Sequence, residues 1–338
     1  MAKCLVQLTY LEIEKCKRMR EIIAPENAEE MEDLISFPKL NILRISDLHN
    51  LGRFCSGNYS IEFTTLKKLD IENCPELTGF MVNTGTDVTG GLQPLFNEKV
   101  AFPSLEQLEI SGLKKLRIIW HHQLPADSFC KLKNLSIFSC DKLLNIFPSY
   151  MLARLLTSVE ELAVVSCGSL KEIFELGELN MEESHAVVNT MLRKLVLVTL
   201  PRLKHLWSKN PSGILTLRNL QTVEAFACCN LQNMFPASVA LGLQQLEVLK
   251  IQGCTMMKEV VALEEGDEAV HRFVLSRLST LKLRDLPRLK YFYPQKHVIE
   301  SPMLKDFYLD LRNSFKETEG ERLGKFPVQL PLFSIKKV

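Results

Sequence analysis

The side chains in this sequence best suited to bond-making chemistry are its ten cysteines and seven histidines, and their spacing decides what they can do. A zinc site needs close ligand pairs such as C-x-x-C, which do not occur; Cys228-Cys229 and His121-His122 are isolated doublets. Six cysteines, Cys16, Cys74, Cys140, Cys167, Cys228 and Cys254, instead share one slot, and elsewhere that slot holds Leu48, Leu113, Leu200 and Leu286. A position that alternates between cysteine and leucine serves packing, with the thiol as a small buried residue and weak S–H donor. The cysteines are therefore expected to be reduced rather than bridged. The nearest approach to G-x-x-x-x-G-K-[ST] is GERLGKF at 320–326, which has the wrong spacing and no hydroxyl after the lysine. No G-x-S-x-G or H-E-x-x-H occurs. The expectation is a non-enzymatic chain with no catalytic residues, cofactor or metal.

What positions these cysteines is a repeated unit, seen most plainly in FCKLKNLSIFSCDKLLNIF, residues 129–147. Its apolar residues Leu132, Leu135, Ile137, Cys140, Leu143 and Ile146 give the frame L-x-x-L-x-I-x-x-C-x-x-L-x-x-I. The period of two around Leu135 and Ile137 marks a short strand with one buried face, and the flanks step by three. One rung of a leucine-rich repeat has this form.

The frame recurs at Leu11/Ile13, Leu43/Ile45, Leu69/Ile71, Leu108/Ile110, Leu162/Val164, Leu195/Leu197, Val223/Ala225, Leu249/Ile251 and Leu281/Leu283, with a weaker rung at Leu304, Phe307 and Leu309. The predicted fold is an α/β repeat: a curved leucine-rich-repeat solenoid with a parallel inner β-sheet and short helices and irregular turns on its convex side. Residues 1–312 are expected to form about ten to eleven rungs. Residues 313–338 read as an irregular tail leading into a missing rung, since QLPLFSIKKV echoes the LQPLFNEKV that precedes the rung at 102. FPSYMLARLLTSVEEL and FPASVALGLQQLEVL each place a proline before apolar residues at helical steps, so short helices are placed there. WHHQLPADSF and WSKNPSGILT favour irregular turns, with Trp120 and Trp207 as convex-side packing. Acidic inserts around Glu26–Asp33, Glu172–Glu183 and Glu264–Glu268 read as solvated or locally paired loops.

Outward positions of each strand follow from the alternation of side chains. The central column begins with Glu12, Arg44, Asp70 and Glu109, continues with Ser136, Ala163 and Val196, and ends with Lys250 and Lys282. The next column turns from Glu14 and Glu72 to Phe138, Val165, Val198 and Phe226, then to Gln252 and Arg284. The inner face thus runs from acidic to basic. The candidate partner-binding residues are Phe138, Val165, Val196, Val198, Phe226, Lys250, Lys282 and Arg284. An open apolar stripe marks an interaction surface; Val and Phe also simply favour strands, and both readings stand.

Lys+Arg 41 against Asp+Glu 40 gives a net charge of +1, which offers no global field for nucleic acid or an anionic membrane. No apolar run approaches the length of a membrane span, and MAKCLVQLTY lacks the order of a signal peptide. A soluble, cytoplasmic protein with a protein partner is expected.

The frames LEIEKC, LDIENC and LKIQGC, the D-L-P-R-L-K rung and the insert LQPLFNEKVAFPSLEQLEI resemble the C-terminal leucine-rich-repeat region of plant intracellular nucleotide-binding disease-resistance receptors of the coiled-coil class. That resemblance implies a role in innate immunity: sensing a pathogen effector or a guarded host protein and restraining a nucleotide-binding switch domain. The chain carries neither the coiled coil nor the phosphate-binding loop of such receptors, and on this reading it is a fragment or a truncated product. The rival expectation is the substrate-recognition subunit of a ubiquitin ligase, which calls for an adaptor-binding helical motif before the repeats and a more uniform period.

Overall fold

The computed structural model describes residues 5–24, 34–57, 59–82, 92–176, 187–207, 209–211, 213–263, 270, 272–295 and 298–310. Most of the acidic inserts, and the tail expected at 313–338, lie outside them. The fold is a leucine-rich-repeat solenoid whose chain packs as two compact units, residues 1–170 and 171–338.

In the first unit six five-residue strands, β1 (Tyr10–Glu14), β2 (Ile42–Ser46), β3 (Lys68–Glu72), β4 (Gln107–Ser111), β5 (Asn134–Phe138) and β6 (Glu161–Val165), pair in parallel in chain order. The second unit pairs β7 (Lys194–Val198), β8 (Thr222–Phe226), β9 (Val248–Gln252), β10 (Thr280–Arg284) and β11 (Asp306–Asp310) in the same way. Register keeps the repeat frame aligned: Leu43 faces Leu69 and Ile45 faces Ile71, while Leu249 faces Leu281 and Ile251 faces Leu283. The aliphatic pair of each strand points inward, with Leu135, Ile137, Leu195 and Leu197 fully buried. This burial of apolar area is the main force holding each rung to its neighbours.

Each strand from β1 to β10 ends in a bend that the repeat frame dictates. The residue just past the strand is left-handed at Lys15, Asp47, Asn73, Gly112, Ser139, Ser166, Thr199, Ala227, Gly253 and Asp285, with φ between 49° and 68°. That conformation turns its N–H toward the next rung: Asn73 donates to the Ser111 carbonyl at 2.9 Å, Ser139 to Val165 at 2.9 Å and Ala227 to Gln252 at 2.8 Å. An L-residue adopts this region at a cost of about 1–2 kcal/mol, which the extra ladder bond and the buried next residue offset. Glycine at 112 also avoids crowding, because a Cβ there would lie 3.2 Å from the Asn73 Cα.

The cysteine slot follows the bend. Sγ of Cys16, Cys74, Cys140, Cys167, Cys228 and Cys254 lies 3.3–3.8 Å from the carbonyl oxygen two residues back. All but Cys16 are buried, and every cysteine among the described residues is a free thiol. Burial pushes the thiols of Cys74 and Cys167 up to about 11 and that of Cys140 to about 12. Cys74, Cys140, Cys167, Cys228 and Cys254 have the packing role expected of this slot, whereas Cys16 is exposed.

The returning side differs from expectation in one respect. The two short helices are present, α1 (Leu152–Leu156), preceded by a 3-10 turn at Ser149–Met151, and α2 (Ala237–Ala240). Elsewhere that side is built of small parallel ladders: Glu21–Ile23, Arg53–Ser56 and Gly79–Val82 form one, and Leu34–Ser36, Ser60–Glu62 and Val100–Ala101 another. Returning segments of successive rungs run parallel, so short β-prone stretches such as EII and RFCS hydrogen-bond to one another. Phenylalanines fill the space between the two sides. Phe37, Phe63 and Phe102 stack at 5.1 Å intervals, Phe54 stacks on Phe80 at 4.6 Å, and Trp120 meets Phe129 edge-on at 4.8 Å. Trp120 and Trp207 are both buried there, the first donating Nε1–H to the Ile146 carbonyl at 2.8 Å.

Candidate functional site

The ladders present to solvent the alternate residues that the core does not take. In the first unit this open face is acidic. Glu12, Glu14, Asp47, Asp70, Glu72 and Glu109, with Arg44, line a depression of about 410 Å³. Arg44 Nε lies 3.1 Å and Lys68 Nζ 3.2 Å from Asp70 Oδ2, so two cations partly neutralise the centre of the cluster. The Tyr10 hydroxyl donates to Glu12 Oε2 at 2.6 Å, and that bond is the main cause of the raised Tyr10 pKa. Farther along the same ladder Phe138 and Val165 face each other in register, half-buried beside Ser136 and Ala163.

In the second unit the open face carries the other six candidates. Val198 lies beside Phe226, and Val196 beside Glu224. Phe226, Lys250, Lys282 and Arg284 come together with Gln252, Ile251 and Tyr308 around a depression of about 450 Å³. Among the described residues no carboxylate lines it. Phe226 stands on β8 and Tyr308 on β11, with the cations on β9 and β10 between them.

The eight candidate residues are thus divided, Phe138 and Val165 in one unit and the rest in the other. All eight lie outside the aliphatic core, half-buried or exposed. Reading the columns from sequence passed over Glu224, which sits between Val196 and Lys250 and holds Lys250 Nζ at 2.8 Å from its Oε1. It also passed over Tyr308. Both were legible, Glu224 between the core residues Val223 and Ala225 and Tyr308 between Phe307 and Leu309; the weak last rung hid the second. Arg284 Nε lies 3.3 Å from Asp285 Oδ2, an exposed pair worth little. Asp310, in register with Arg284, is buried, and its Oδ2 accepts from the Tyr308 hydroxyl at 3.4 Å.

Among the described residues no group of three His, Cys, Asp or Glu side chains is placed to hold a metal ion, and no helix is long and apolar enough to cross a membrane. An open strand face with a cationic centre flanked by aromatic side chains suits the binding of a macromolecule.

Over residues 1–87 and 104–255 the sequence matches the family described as plant disease resistance protein RPS2-like, leucine-rich repeats. The chain belongs to that family. The match spans the whole of the acidic face, the paired Phe138 and Val165, and the second unit as far as β9, so this resistance-protein repeat module includes most of the surface just described. It matches no curated protein and no solved structure.

Proposed function

We propose that this repeat module recognises a protein, a pathogen effector or a host protein that effectors modify, through the open face of its strand ladders. In a full receptor the same module restrains a nucleotide-binding switch domain until recognition occurs. Family membership supports the defence setting. The observation that carries the recognition reading is the half-buried Phe226 beside exposed Lys282 and Arg284 around one depression. Aromatic and arginine side chains are the residue types that dominate protein-binding energetics, and nothing about the repeat frame calls for them on the solvent side.

A pairwise binding screen of the chain against a panel of pathogen effectors and host defence proteins tests this reading. Each positive pair is measured again with Phe226→Ala and Phe138→Ala, after confirming an unchanged Tm. The expected result is a partner whose affinity falls at least about tenfold, roughly 1.4 kcal/mol, with one of these variants. Partners that bind both variants as tightly as the unaltered chain would place recognition elsewhere.

A further inference from the structure

Resting on that recognition reading, we infer that the depression of the second unit takes an acidic, extended segment of the partner, with an apolar residue on each side of its carboxylates. Backbone register forces the cations together. Lys250 and Lys282 are direct cross-strand neighbours on β9 and β10, an arrangement that is unfavourable for like charges. Lys250 has Glu224 on its other side at 2.8 Å. Lys282 has Tyr308 on its other side, and among the described residues no carboxylate pairs with it. Arg284, two residues on, is exposed and lies 3.3 Å from its sequence neighbour Asp285. Of the three cations around the depression, Lys250 and Arg284 each have one carboxylate beside them and Lys282 has none among the described residues, which leaves a charge excess that an incoming anion relieves.

The walls define the rest of the ligand. Phe226 and Tyr308 stand on the first and last of four neighbouring strands, which at the spacing of a sheet places them about 14 Å apart across the strands and offset by two residues, about 7 Å, along them. A free phosphate or a single carboxylate leaves both aromatic side chains without contact. An extended peptide advances about 3.3 Å per residue, so one crossing the strands diagonally reaches from Phe226 to Tyr308 in about four to five residues. The fit is therefore an apolar residue, two or three Glu or Asp, and a second apolar residue, with the carboxylates above Lys282 and Arg284.

The acidic depression of the first unit supplies an internal control, because it lies on the same kind of ladder face with the opposite charge. The probe is a fluorescein-labelled peptide in which three glutamates separate a leucine from a phenylalanine, compared with its lysine counterpart, with polyphosphate and with oligouridylate, each titrated against the full chain. The expected result is saturable binding of the acidic peptide, weakened by salt, lost at least about tenfold in K282E/R284E and K282Q/R284Q, and reduced in F226A, while E72Q/E109Q leaves it unchanged. Binding of polyphosphate or oligouridylate that exceeds that of the peptide would make the depression a polyanion site and overturn the inference. Equal peptide affinity in the unaltered chain and K282Q/R284Q would overturn it as well. A partner from the screen that loses affinity in F226A and keeps it in K282Q/R284Q sinks the acidic-segment inference and leaves the recognition reading standing.

Discussion

A thiol in the slot after a bend lies against the carbonyl oxygen two residues back, and in five of the six cases, Cys16 being the exception, it is also buried, which sets its reactivity. Cys140 and Cys167 are fully buried with their thiols pushed to about 12 and about 11, so at pH 8 roughly one thiol in a thousand or fewer is ionised. The thiolate is the nucleophile, and no reagent reaches it without opening the rung. Cys16, Cys130 and Cys229 are exposed. We expect a soluble aromatic disulfide reagent to label these three within minutes in the native protein, and Cys55, Cys74, Cys140, Cys167, Cys228 and Cys254 only after denaturant is added. Mass-spectrometric mapping of the labelled peptides checks it; Cys140 or Cys167 among the fast set would contradict the packing account.

At the scale of the element, two phenylalanines in equivalent chemistry and different places should behave oppositely. Phe63 opens the rung of β3, is fully buried, and stacks between Phe37 and Phe102 at 5.1 Å from each. Phe63→Ala removes contacts that neighbouring rungs on both sides depend on, and is expected to cost about 3–5 kcal/mol. Phe226 ends β8 on the open face and is half-buried, so Phe226→Ala should change stability by less than about 1 kcal/mol. Urea titrations of the two variants separate them. A large loss at Phe226 would mean that its ring belongs to the core, and the binding role given to it would go with that.

For the whole molecule, stability should follow the burial of the ladder strands within each unit. Leu43 and Ile45 of β2 are at 0% and 1% exposure, whereas Leu11 and Ile13 of β1 are half-buried. In the second unit Val223 and Ala225 of β8 are fully buried, while Phe307 and Leu309 of β11 are 49% and 38% exposed. Local opening costs least where few apolar contacts must be broken. Native-state hydrogen exchange should therefore show amides of β1 and β11 exchanging at least about tenfold faster than those of β2–β5 and of β8–β9. Uniform protection across all these strands would show that each unit opens only as a whole.

The sequence by itself determined the rung frame, the inward aliphatic pair, the cysteine slot and the outward columns, because period two in a strand fixes which face each residue joins whatever surrounds it. It also placed α1 and α2, through the prolines at 148 and 236 that precede them. Tertiary structure decided the rest. The small ladders of the returning side form only because stacking brings short segments from rungs far apart in sequence into hydrogen-bonding range, as Pro94–Phe96 does with Ile118–Trp120. The left-handed bends at Thr199 and Ala227 run against residue preference and persist because the ladder bond to the next rung requires them. The grouping of Phe226, Lys250, Lys282, Arg284 and Tyr308 is likewise a product of register. Their outward direction is written in the local alternation, but that these five share one depression depends on which rung stacks against which.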